Sequence, residues 1–166
     1  PAFFRILDWQ WLAGNPDQAL SEPNTVVLTK STAEKCFGSW QLAMGKTLLL
    51  DQNLEVVIRG IIANPPATSD FTFNLLASYE TLRKNPDMYG YTSNWSNISS
   101  NDQVWALLRQ PGQFQAANKI LAGIGKEEYK EDIYAKKHFL QALADQHFDD
   151  RVGHFGTHTV TKSRLW

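Results

Sequence analysis

The sequence predicts an α+β fold, with split βαβ units arranged as two small lobes around mixed or antiparallel sheets. Three observations predict it. The run Thr25-Val26-Val27-Leu28-Thr29 is β-branched and apolar, the composition of a buried strand. Two apolar stretches, 45–50 and 54–62, flank the polar triplet Asp51-Gln52-Asn53, which is the pattern of a β-hairpin. Phe114, Ala117, Ile120, Leu121 and Ile124 recur at helical spacing and make an amphipathic helix of about 12 residues. The elements run β-α-β-β-β and then β-α-β, the order of split βαβ units.

Taken in order, the chain opens with the aromatic stretch Phe3 to Leu12, interrupted by Asp8 and Gln10. It packs on a core as a short strand or a turn of helix and ends at Gly14-Asn15-Pro16. Trp9 and Trp11 share one face where the backbone is extended, and both are assigned to packing. Asp17 to Leu20 makes one helical turn. After the strand at 25–29, Ser31 or Thr32 caps a short helix, with Glu34 behind it as in a capping box, and Gly38 ends it. Cys36 is expected to turn its thiol inward from that helix, as a small buried apolar group.

Asn64-Pro65-Pro66 breaks the second hairpin strand, because proline has no N–H to give to a ladder. Residues 71–79 alternate in part and read as a further strand, with a short helix over 80–84. From Asn85 to Ser100, polar and turn-forming residues dominate and periodicity disappears. That stretch is expected to be a long loop joining lobes at 1–84 and 101–166. Beyond it, 103–109 is expected as a strand and 127–137 as a solvated, charged segment. Residues 139–145 alternate apolar and polar positions and read as a half-buried strand, and the remainder is a turn-rich return path.

The 166 residues are 43% apolar and 20% charged, ordinary values for a folded chain, which excludes a disordered segment. Seventeen acidic residues stand against sixteen basic ones. Without a basic excess there is no electrostatic footprint for nucleic acid. A single cysteine makes neither an internal disulfide nor a four-ligand zinc site. No run approaches the roughly 20 apolar residues of a membrane span. The abrupt ends, Pro1-Ala2-Phe3-Phe4 and Lys162-Ser163-Arg164-Leu165-Trp166, are expected of a piece excised from a longer protein.

Few motifs carry chemistry. Gly45-Lys46-Thr47 has the end of a phosphate-binding loop, but the leading glycine is replaced by Trp40, and a strand rather than a helix follows. His154 and His158 have i, i+4 spacing, and Asp145, Asp149 and Asp150 lie near in sequence, but Gly153 and Gly156 oppose the helix that would align them. The pairs Glu127-Glu128 and Asp149-Asp150 sit in polar runs and read as solvated. No nucleophile elbow or Cys/His arrangement occurs. No catalytic, cofactor-binding or metal-binding residue is assigned, and no cofactor.

The series from Ala19 to Gly38, then Met44-Gly45-Lys46-Thr47-Leu48, Val57-Ile58-Arg59-Gly60-Ile61-Ile62-Ala63-Asn64-Pro65-Pro66 and Phe71-Thr72-Phe73-Asn74, resembles the MacB-like periplasmic core domain of ABC transporter permeases, within the MacB/FtsX family and especially its large Bacteroidetes-type members. The opening Phe3-Phe4-Arg5-Ile6-Leu7-Asp8 with Gly14 is similar to the same family's beginning. The resemblance is good over about 3–80 and thinner from 81 to 150.

It implies a non-catalytic envelope domain with porter-like and sabre-like lobes, on the periplasmic face of the inner membrane. It further implies a cytoplasmic ATPase on a separate domain or subunit, a periplasmic adaptor or cargo as partner, and a homodimer in the full transporter. Family members have about a hundred further residues before the Phe-Phe pair, so the resemblance covers part of a domain. A membrane helix directly after Trp166 and another upstream are expected. Two other classes compete: a free-standing extracytoplasmic small-ligand binding or sensor module, and a metal-dependent hydrolase using His154 and His158.

Overall fold

The computed structural model describes residues 3–69, 71–90, 103–130, 136–146 and 148. The chain divides into two compact units, Pro1–Ser93 and Asn94–Trp166.

The first unit begins with one helical turn, α1 (Phe3–Ile6), and strand β1 (Trp11–Gly14). Strand β2 (Thr25–Thr29) is buried at every residue. Helix α2 (Lys30–Phe37) ends at Gly38, whose φ of 77° lets its N–H reach the carbonyl of Glu34 at 2.8 Å. A 3-10 turn at Trp40–Leu42 leads to strands β3 (Thr47–Leu50) and β4 (Leu54–Ile62). Strand β5 (Leu75–Ala77) and helices α3 (Tyr79–Lys84) and α4 (Pro86–Tyr89) complete the unit.

The five strands form one mixed sheet in the order β1-β4-β2-β5, with β3 also paired to β4. β4 is parallel to β2 and antiparallel to β1 and β3. β2, α2 and β4 are thus a βαβ unit, split by the hairpin strand β3. The Val57 amide donates to the Asn24 carbonyl at 2.8 Å and the Ile58 amide to the Lys46 carbonyl at 2.9 Å. Neighbouring amides of a strand point to opposite edges. β3 therefore lies on the edge of β4 away from β2, the edge that β1 occupies further along.

Both faces of the sheet are covered, which is why β2 reads as a continuous apolar run rather than an alternating one. Val26 and Leu28 join Ala33, Ala43, Leu54, Val56, Ile58 and Ile61 in the larger cluster, against which Phe37 and Trp40 pack. Val27 and Ile62 face the other way, onto Phe4, Ala19 and Leu20. Phe3, Trp9, Trp11 and Phe73 close that second cluster through edge-on and tilted ring contacts, with Phe4 and Trp11 centroids 4.7 Å apart.

β4 changes phase in mid-strand. Even-numbered Leu54, Val56 and Ile58 face the larger cluster, and beyond Arg59 the odd-numbered Ile61 does. The pairing shows the cause: Val26 opposes Ile58 and Val27 opposes Gly60, so Arg59 is the extra residue of a β-bulge.

In the second unit, residues 103–112 precede helix α5 (Gln113–Glu128), and a 3-10 turn spans Leu143–Asp145. The segment after 136 is fastened to α5. The amide of Leu140 donates to Asn118 Oδ1 at 2.7 Å, and His138 Nε2 lies 3.1 Å from the Tyr129 hydroxyl. Lys136 Nζ sits 4.8 Å from the centroid of the Tyr129 ring, which is buried.

Several expectations are corrected. The opening stretch is both a helical turn and a strand. Thr29, not Ser31 or Thr32, is the residue before the first turn of α2, and no side chain caps that helix. The Thr29 hydroxyl is instead 2.9 Å from that of Thr32, a partner inside the helix. Cys36 is exposed. The strand expected over 71–79 is confined to Leu75–Ala77, and α4 lies within the stretch taken as loop. Residues 103–109 and 139–145 are not strands. Val104 is 95% and Leu107 63% exposed, and no neighbouring strand takes up their backbone groups among the described residues. The return path after 148, with His154, His158, Asp149 and Asp150, lies outside the described residues, as does His147.

Candidate functional site

Among the described residues, those singled out for chemistry do not converge. Gly45 has a φ of 73° and gives its N–H to the Ile58 carbonyl at 2.9 Å, so Gly45-Lys46-Thr47 is the turn that delivers the chain into β3. Glu127 and Glu128 are exposed at the end of α5, and Asp145 is exposed in the 3-10 turn. His138 is spent on the Tyr129 contact. Among the described residues no group of three or more His, Cys, Asp or Glu side chains is placed to hold a metal ion. No described helix is long and apolar enough to cross a membrane.

What the first unit offers is surface. One cleft, about 350 Å³, lies between the segment joining α1 to β1 and the chain leaving β4. Leu7, Trp9, Pro66 and Phe71 give it an apolar wall, and Gln10 and Asn64 a polar one. The indole Nε1 of Trp9 is buried without a hydrogen-bond partner, while its ring packs against Phe73 at 4.9 Å.

A second cleft, about 470 Å³, is lined by Asn15, Gln18, Ala19, Ser21, Glu22, Thr25 and Arg59. Arg59 of the β4 bulge and the turn after β1 both line it, and that turn is held by amides of Gln18 and Ala19 donating to the Asn15 carbonyl at 3.1 and 2.9 Å. Asp17 on that turn is paired with Arg5 at 2.7 Å. The hydrogen bond and charge of the Arg5 guanidinium hold the Asp17 carboxyl below the usual carboxylate range. Sequence reasoning passed over both clefts, because each is lined by residues from separate segments that share no motif. The signal that was available was the phase change in Leu54-Glu55-Val56-Val57-Ile58-Arg59-Gly60-Ile61-Ile62, which marks a bulge at Arg59.

The described residues of the first unit thus form a two-faced mixed sheet that presents two clefts. Residues 1–124 match the MacB-like periplasmic core domain family. The chain belongs to that family, which is a family of ABC transporter permease domains. A solved domain of a Porphyromonas gingivalis protein described as a permease shares the fold, with a TM-score of 0.55 at 17% identity over 87% of this chain and 67% of that one. The periplasmic region of MacB from Actinobacillus actinomycetemcomitans gives a TM-score of 0.44 at 16% identity, over 76% of this chain. This chain spans about half of that region, 52%. No curated protein matches the chain.

Proposed function

We propose that this chain is a non-catalytic domain on the periplasmic face of the bacterial inner membrane, carried by an ABC transporter permease. In the parent protein it couples ATP binding by a cytoplasmic ATPase to movement, or to contact with a periplasmic adaptor or cargo. The permease acts as a homodimer. The observation that carries this reading is the family match over 1–124. The architecture agrees with the role: a domain that relays motion needs a rigid core and an exposed responsive surface rather than reactive groups. Tight packing on both faces of the sheet provides the first, and the two clefts belong to the second.

The exposed thiol of Cys36 supplies the test. In cells expressing the full-length parent, with the outer membrane made leaky, a membrane-impermeant maleimide is expected to label Cys36 before lysis. The Cys36→Ser variant gives the background. Labelling of Cys36 only after lysis would place the domain in the cytoplasm and remove the reading.

A further inference from the structure

We propose that the cleft over the β4 bulge binds a carboxylate, presented by an acidic segment of a partner protein, with Arg59 as its anchor. The inference goes beyond the transporter reading and does not depend on it.

The first unit has three arginines. Arg5 is paired with Asp17 at 2.7 Å and Arg83 with Glu80 at 3.1 Å. Arg59 has no acidic partner among the described residues, although Glu22 lines the same cleft. The fold goes to some length to place this side chain there. Arg59 is the residue that the parallel ladder skips, at the point where the alternation of β4 changes phase, and its side chain is exposed. The chain opposite is shaped to accept the bulge. Gly14 sits at a φ of 93°, and a Cβ there would collide with the Arg59 carbonyl oxygen and lie 2.9 Å from Gly60 Cα. Only glycine lets β1 close down on the bulge.

The turn that follows Gly14 brings two more unused donors. Asn15 spends its Oδ1 on the Asp17 amide at 2.9 Å, which leaves its Nδ2 hydrogens unengaged. The Gln18 side chain has no partner among the described residues, while the backbone carbonyl of Gln18 accepts from the Ser21 hydroxyl at 2.8 Å. A guanidinium fork and two amide groups around one cleft are a donor set for a planar anion that accepts on two oxygens, which a carboxylate is. Glu22 faces the same space and opposes the anion. It sets the sign of a second test, because neutralising it must tighten binding.

The experiment is a titration of the isotope-labelled chain, followed through backbone amide resonances. The two probes are an acetylated, amidated tetraglutamate and its tetraglutamine counterpart. The glutamate peptide is expected to shift the amides of 15–25 and 59–60 saturably, and to bind about tenfold more tightly than the glutamine peptide. Arg59→Gln is expected to remove that difference, Arg59→Lys to keep a fraction of it, and Glu22→Gln to tighten binding about threefold. Arg59 is exposed, so these variants keep the fold, which the unperturbed amides of β2 verify in the same spectra. Gln18→Ala, outside the sheet, gives an independent loss of a few-fold. Equal responses to the two peptides, shifts spread over every basic side chain, or an Arg59→Gln variant that still prefers glutamate would each overturn the proposal.

Discussion

Single residues decide how closely β1 and β4 approach. Gly14 and Gly60 face each other in the ladder. A Cβ on Gly60 would meet Trp11 Cζ3 at 2.5 Å and Val27 Cγ2 at 3.1 Å, both side-chain atoms. One on Gly14 would meet backbone, and its φ of 93° is strained for any other residue. Gly14→Ala is therefore expected to destabilise by about 2–4 kcal/mol and Gly60→Ala by about 1–2 kcal/mol, since a Trp11 ring can shift and a backbone cannot. Urea midpoints of the two variants check the order. The Asp17 carboxyl has its own signature. Its folded value is depressed by Arg5, so the stabilisation it gives is complete above the ordinary carboxylate range and is lost as pH falls through the lowered value. In Arg5→Gln the carboxyl is expected to return to the ordinary range, which a side-chain NMR titration of Asp17 reads directly. At this scale the sequence spoke unevenly. Gly38 was legible because a left-handed helix end calls for glycine. Cys36 was misjudged because burial in α2 concentrates at Ala33, with Phe37 one turn on packed against the core. Cys36 lies about 100° around the helix from Phe37.

Elements were legible where their own residues settle the matter, and illegible where a partner does. β2 and the β3–β4 hairpin carry the composition and spacing of strands, and they are strands. Residues 103–109 and 139–145 carry some of the same pattern, yet a strand exists only beside another strand. The first of them leaves Val104 and Leu107 to water instead. β5 shows the converse. Three of its residues pair with β2, and the ladder is extended by the Thr29 amide donating to the Asn74 carbonyl at 3.0 Å and the Ser78 amide donating to that of Thr25 at 2.9 Å. The clefts were illegible for a related reason: each joins segments far apart in the chain. β4 is the element on which the others depend, since it touches β1, β2 and β3. Ile58, fully buried at its centre, is expected to cost about 2–5 kcal/mol when cut to alanine, from lost burial and the cavity left behind. Leu49, one strand away and 61% exposed, is expected to change stability by no more than about 0.5 kcal/mol on the same truncation. Paired denaturant curves separate the two. Similar losses at both positions would mean that the hairpin, rather than β4 itself, holds the sheet.

For the molecule as a whole, the two units differ in what they bury. Both apolar clusters and the complete five-stranded sheet belong to Pro1–Ser93. Of the buried apolar side chains among the described residues, Tyr129 alone lies in the other unit. A chain of that length with its own two-faced core lies within the size range of domains that fold alone. Its closing segment is also tied back internally. The Ser78 hydroxyl donates to the Leu20 carbonyl at 2.9 Å, and the Asn24 amide donates to the Thr81 hydroxyl at 2.7 Å, so α3 is anchored on the entrance to β2. A fragment ending at Ser93 keeps every one of these bonds. It is expected to unfold in urea in one cooperative step, with a slope of about 1–2 kcal/mol/M, and to retain the resolved amide spectrum of β2 and β4. A broad, non-cooperative transition, or a collapsed spectrum, would show that the sheet depends on residues beyond 93, and that the division seen in the fold is not a division in stability.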